Sequence, residues 1–270
     1  MTGILTRPGP LLALAVVALV LVWALAPGLF TSHDPVTGVP ADKLLPPDGA
    51  HWFGTDHLGR DLFARTVHGT SLSVRAALIA IGVALVAGSG LGLVAGSAGG
   101  AVDEVLMRAT DVLLAIPGLL LSLAVVTALG FGTVKVAIAV GIASVATFAR
   151  VMRSQVLRVR HATYVEAARL AGAGRTAVVL RHVLPNAAGP VLALAAVELG
   201  AVILAVSALS FLGYGATPPT PEWGSLVAEG RDYLAVAWWY STLPGLVIVL
   251  FVLAVGALGR ALTRDGRTDR

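Results

Sequence analysis

The sequence contains no cysteine, which excludes thiolate metal sites, cysteine nucleophiles and a disulfide-stapled secreted module. Charge is scarce too. Lys, Arg, Asp and Glu make up 13% of the 270 residues, about half the share usual in soluble domains. Only Lys43 and Lys135 among the 19 basic residues are lysines, and Leu44 and Val136 follow them. A phosphate-binding Gly-Lys-Ser/Thr loop is therefore absent, and ATP hydrolysis by that chemistry is excluded. The predicted membrane spans contain no histidine, which removes the Ser-His pair that an intramembrane hydrolase built on Gly88-Ser89-Gly90 would need. The net charge of +4 requires no nucleic-acid partner.

What is present is apolar length. Apolar residues make up 57% before the 31 glycines are counted, more than a soluble fold can hide. This composition defines an integral membrane protein. Uncharged runs cover 8–33, 76–102, 112–134, 136–149, 182–197, 199–221 and 233–259. Since about 20 apolar residues cross a hydrocarbon core, they predict six helices. These fall at about 10–30, 75–98, 105–129, 131–150, 187–213 and 236–259, the fifth joining two runs across Glu198. The first stretch also imitates a cleaved signal at Ala24-Leu25-Ala26, but it is long for a signal and Pro27 would follow the cut.

Six spans put both termini on one side. That side carries 13 basic residues and the other 6, namely Lys43, Arg60, Arg65, Arg75, Lys135 and Arg231. Basic residues favour the cytoplasm, so the termini and the 151–186 loop are expected there. The expected organisation is an N-terminal helix and external loop (1–74), a helical core (75–260) and a cytoplasmic tail (261–270). On the second helix Gly82, Gly88, Gly90, Gly92 and Gly96 form a small-residue face suited to close helix packing. Pro117 and Pro244 remove backbone donors and can bend their helices.

The 151–186 loop carries an ordered-looking element. Thr163-Tyr164-Val165-Glu166 fits a capping box, and Gly172 fits a helix stop, which predicts a short helix at about 164–171 outside the membrane. Ala167, Ala168 and Ala171 would let its backbone press into another protein's groove. The alternative is a capped surface helix whose arginines only set topology and touch anionic lipid.

The residues carry a resemblance beyond spacing. Glu166-Ala167-Ala168, Gly172 and Arg181-His182-Val183-Leu184-Pro185-Asn186 resemble the EAA signature of bacterial ABC importer permeases. The stretch His51 to Asp61, Met107 to Asp111 with Ile116-Pro117, Leu209 to Gly213, Pro218 to Gly224 and Gly230 to Leu234 are similar to motifs of the C-type permeases of dipeptide, oligopeptide and nickel importers. The resemblance covers about residues 11–260 and implies an all-α, six-helix type I importer permease in a bacterial inner membrane.

In that family the EAA helix docks onto an ATPase subunit. The resemblance therefore assigns ATPase coupling to Tyr164, Val165, Glu166, Ala167, Ala168, Arg169, Gly172, Arg181 and Pro185. It implies four kinds of partner: a second, homologous permease, two ATP-binding subunits or one fused ATPase, an external binding protein, and membrane lipid. ATP and Mg would sit on the ATPases, with no cofactor held by this chain. Short peptides lead as cargo, ahead of nickel or haem.

Relatives often carry Glu where Val206 stands, while this chain places Glu198 eight residues earlier. Glu198, Val206 and Pro117 are the candidate pathway residues. Mid-helix acids cost about 2.5–3.5 kcal/mol in lipid, so Glu198 should face water or protein, either lining the pathway or bonding a neighbouring helix. A self-contained secondary transporter would need several such groups, and only Glu198 is available. His51 and His57 without an adjacent carboxylate cluster predict no metal site.

Overall fold

A computed structural model describes residues 8–268, with side chains for residues 9–261. Arg7, Arg264, Arg267 and Arg270, counted above on the cytoplasmic side, lie outside the described side chains. The described chain is helical, and its only sheet-like feature is a bridge between Thr55 and Asp61. In order the helices are α1 (Pro8–Leu25), α2 (Leu62–Ala98), α3 (Gly100–Ala115), α4 (Gly118–Leu129), α5 (Thr133–Val159), α6 (Thr163–Leu170), α7 (Arg175–Val178), α8 (Leu184–Phe211), α9 (Trp223–Arg231) and α10 (Trp239–Thr268).

Charges ended the apolar runs, but they do not end the helices. α2 begins at Leu62, not near 75, because the Asp61 side chain caps it by accepting from the Ala64 N–H at 2.6 Å. His68, which lies outside the predicted spans, is therefore helical. α5 continues past Ala149 to Val159. Arg175 to Phe211 form one continuous 37-residue helix rather than a helix starting near 187. The 151–186 connection thus contracts to residues 160–174.

The expected span at 105–129 is not one helix. α3 and α4 meet at 96°, with Ile116 extended and Pro117 at the N-cap of α4. Residues preceding proline are pushed out of helical geometry, and the ring removes a donor. Four helices, in α2, α5, α7–α8 and α10, are long and apolar enough to span, and the bent pair makes a fifth. The apolar part of α1, Gly9–Leu25, is shorter than these. The expected six spans therefore appear as four long helices, a broken pair and one shorter helix.

The most extensive interface joins α2 to α5. A Cβ at Gly88 would meet the Val145 carbonyl at 2.6 Å, one at Gly92 would meet Met152 Cβ at 2.8 Å, and one at Gly96 would meet Val156 Cγ1 at 2.7 Å. Gly141 returns the relation against Val83 and Ala80. Residue numbers rise together along both helices, so α2 and α5 run parallel. Two parallel neighbours require a return crossing between them, which is what α3 and α4 jointly provide. Gly82 and Gly90 face open space and take no part.

Two apolar clusters divide the core. One combines α1, α2, α4, α5, α8, α9 and α10 around Val140, Val206, Leu209, Trp223 and Phe251. The other lies at the opposite end and joins Phe148, Met152 and Val156 to Val165, Val178, Val183 and Val191.

Candidate functional site

The short helix α6 is anchored mainly by Val165, with Ala168 packed against the same cluster. Val165 is fully buried in the second cluster, whereas Tyr164, Glu166, Ala167, Arg169 and Leu170 are exposed and Ala168 is half-buried. Its start differs from the expected capping box. Ala162 is the N-cap and no side chain caps the helix, so Thr163 already lies inside and Glu166 instead places a negative charge in the first turn. Its end follows expectation: Gly172 has φ +87°. The Gly172 N–H donates to the Arg169 carbonyl at 3.0 Å and the Ala173 N–H to the Ala168 carbonyl at 3.1 Å. These two bonds form a Schellman stop, for which glycine is the cheapest residue.

Arg181 and Pro185 are exposed on the α7–α8 helix and are not on α6 itself. Just before Pro185 the helix widens into a π turn, Val179–Val183, which includes Arg181, with the Leu184 N–H reaching the Val179 carbonyl. Pro185 has no N–H for the Arg181 carbonyl, and a π turn is a common way to absorb such a break. Asn186 Nδ2 also donates to the His182 carbonyl, 2.7 Å away. Pro185 was the visible signal for this feature. Arg169, Arg160, His161 and Arg175 line a cavity of about 510 Å³ beside α6. Arg160 and Arg175 also close the end of α2, donating to the Gly96 carbonyl at 2.8 Å and the Ser97 carbonyl at 2.6 Å.

The candidate pathway residues do not converge. Glu198 is half-buried on α8 and makes no hydrogen bond or ion pair to another described residue. Val206 is 2% exposed inside the first core cluster, so in this conformation it presents no surface to a pathway. Pro117 is exposed at the α3–α4 bend.

Sequence reasoning missed the charge cluster at the other end of the bundle. The loop from 31 to 61 folds over the start of α2, and its His51-to-Asp61 stretch delivers Asp56 and Arg60 to the interior. Arg60 Nε lies 2.5 Å from Asp56 Oδ2, and Arg65 Nη2 lies 3.2 and 3.1 Å from the two carboxylate oxygens of Glu229 on α9. The Tyr240 hydroxyl donates to Glu229 at 3.0 Å and faces His57 Nδ1 at 3.0 Å. Two carboxylates and two guanidiniums balance, as burial demands. The same end holds Glu222, 1% exposed, which accepts from Ser210 Oγ at 2.6 Å, the Ala216 N–H at 2.7 Å and Thr133 Oγ1 at 3.1 Å. That carboxylate ties α5, α8 and α9 together.

A bundle of spanning helices with a short helix packed outside it on one side and a charge-pinned loop on the other has the form of a membrane transport component. Residues 88–267 match the family described as "Binding-protein-dependent transport system inner membrane component", and the chain belongs to it. It is a multi-pass membrane permease component and not itself catalytic. It is 39% identical over 257 residues to the probable D,D-dipeptide transport system permease protein DdpC of Escherichia coli K12, covering 95% of this chain and 84% of that protein. It is 41% identical to the glutathione transport system permease protein GsiD of Pectobacterium atrosepticum, over 80% and 72% of the two chains. It is 42% identical to the di/tripeptide transport system permease protein DppC of Pseudomonas aeruginosa, over 77% and 69%.

Proposed function

We propose that this chain is one of two permease subunits of an ATP-driven importer of short peptides. The substrate reading is supported by the relatives, which are described as carrying D,D-dipeptides, glutathione and di- or tripeptides. The observation that carries the mechanism is α6, a helix tied to the bundle through buried Val165 and half-buried Ala168 while Tyr164, Glu166, Ala167, Arg169 and Leu170 project outward. Glu166, Ala167, Ala168 and Arg169 would dock on an ATP-binding subunit, with the Gly172 stop setting the exit of the chain. Two ATPases, or one fused ATPase, would hold ATP and Mg. A homologous permease would complete the pathway and an external binding protein would deliver cargo.

In this mechanism ATP-driven closure of the ATPase pair displaces α6. Val165 passes the displacement to Met152 and Val156 of α5 and Val183 of α7–α8, whose packing couples α6 to the spans. The bundle then exchanges between inward-open and outward-open states. The α6 end is cytoplasmic in this reading, with both termini on that side.

The test is reconstitution. The chain alone in proteoliposomes should neither hydrolyse ATP nor accumulate peptide, with or without an ion gradient. With the second permease, the ATPases and the binding protein it should support ATP-dependent entry of a short peptide. Gradient-driven uptake by the isolated chain, or full uptake by the other subunits without it, would overturn the assignment.

A further inference from the structure

The loop that covers the start of α2 brings two histidines, distant in sequence, onto one carboxylate. His51 Nδ1 lies 2.8 Å from Asp61 Oδ2, and His33 Nδ1 lies 3.8 Å from the same oxygen. The imidazole centroids are 5.3 Å apart, and one ligand atom from each of the three residues falls within 4.8 Å of the others. We propose that His33, His51 and Asp61 form a three-ligand site for a borderline divalent transition-metal ion, with zinc as its reference occupant.

A hydrogen bond between His51 and Asp61 accounts for only part of this arrangement. At 3.8 Å the His33 nitrogen is too far from Oδ2 to share it as a hydrogen bond, yet it converges on it from the open side. Two imidazole nitrogens and one carboxylate oxygen around a common point are the donor set of zinc sites that leave other positions to water. His33, with its side chain 48% exposed, leaves that outer side accessible. Zinc–ligand bonds of about 2.0–2.2 Å would require the two rings and the carboxylate to adjust by an ångström or so around the ion.

The ligands are held in advance. Asp61 commits Oδ1 to the Ala64 N–H at the head of α2, which leaves Oδ2 for the ion. The His51 backbone N–H donates to Asp48 Oδ1 at 2.6 Å, and the amides of His51 and Ala50 hold the Asp48 carboxyl below the usual carboxylate range. The His33 N–H donates to Thr31 Oγ1 at 3.1 Å.

A neighbouring group, Asp56, His57 and Glu229, has similar spacing and shows why composition alone is insufficient. There both carboxylates are already neutralised by Arg60 and Arg65, whose positive charge opposes a cation. No Arg or Lys among the described residues pairs with Asp61. The ion would bind the 31–61 loop to the first turn of α2, so occupancy should raise thermal stability.

The experiment uses the untagged full chain in detergent, titrated with zinc against a chromophoric chelator. One equivalent should bind, and cobalt(II) should give ligand-field absorption characteristic of nitrogen and oxygen donors. His33→Ala, an exposed substitution, should fold normally and weaken binding by roughly tenfold or more. His51→Gln should do the same, whereas His182→Ala on α7–α8 should leave binding and spectrum unchanged. Failure to bind one equivalent, or binding that survives both His33→Ala and His51→Gln, would overturn the site.

Discussion

Arg65 of α2 and Glu229 of α9 meet at 3.1 Å across a separation of 164 residues, with Arg65 fully buried. The Arg60–Asp56 pair lies against them, with Arg60 Nη2 3.3 Å from Glu229 Oε2. Removing one member strands a buried charge, which typically costs about 3–5 kcal/mol. Arg65→Met should therefore lower stability by about that amount, and so should Glu229→Leu. The double variant should recover much of the loss, because Asp56 and Arg60 still balance. Denaturant unfolding of the detergent-solubilised chain measures the coupling, and additive losses would show that the pair does not act as a unit.

The α2–α5 seam makes a sharper contrast between glycines. Gly92 faces Met152 and Arg153 with no room for a side chain, whereas Gly90 faces open space. Gly92→Leu should separate the helices and abolish a monodisperse folded chain. Gly90→Ala should be neutral or stabilising by up to about 0.5–1 kcal/mol, since glycine weakens helix interiors. Size-exclusion profiles and thermal transitions of the two variants check this, and equal tolerance would contradict the packing.

Much of this architecture was legible. Apolar runs located the spans, Gly172 located the end of α6, and the glycine face of α2 pointed to a close helix partner. The errors share a cause. Arg60 and Arg65 read as loop charges because their neutralising partner, Glu229, is far away in sequence. Asp61 likewise concealed both a helix cap and a meeting point for His33 and His51. Thr163 matched a capping box, yet Ala162 already occupies the cap, so Thr163 lies one residue too far along. Pro117 signalled a bend but gave no angle, which depends on how α3 and α4 each rest on α5.

Topology can be tested cleanly because the sequence has no cysteine. Single cysteines in place of Ala41 and Gly174 should label from opposite sides, the first from outside and the second only after the membrane is opened. Reporter fusions after Gly174 should behave as cytoplasmic. External labelling at position 174 would reverse the proposed orientation and remove α6 from reach of a cytoplasmic ATPase.

Glu198 is half-buried and has no partner among the described residues, which fits a wet pathway better than a buried hydrogen bond. Glu198→Gln should fold normally, and Glu198→Leu should change stability by less than the roughly 1–3 kcal/mol expected when a buried hydrogen bond is lost. Glu198→Cys should react with a water-soluble thiol reagent. Reaction only with a lipid-soluble reagent would place the residue against lipid and end its candidacy.

Gly172 separates folding from coupling. Its left-handed φ of +87° is required by the Schellman stop, yet a Cβ there would meet nothing within 4 Å. A substitution therefore strains only the local backbone, by about 1–2 kcal/mol for an ordinary side chain. Asn and Asp enter this region most readily. Gly172→Asn should keep the helix end and most transport. Gly172→Asp keeps similar geometry but adds a negative charge at the end of the proposed docking helix, which already carries exposed Glu166. The Asp variant should reach the membrane in normal amount, yet lose ATPase association and substrate-stimulated ATP hydrolysis in the reconstituted assembly. Comparing membrane abundance with ATPase co-purification for the two variants isolates the charge. Normal coupling by Gly172→Asp would remove α6 as the docking element, whereas low abundance of both variants would make Gly172 a folding residue.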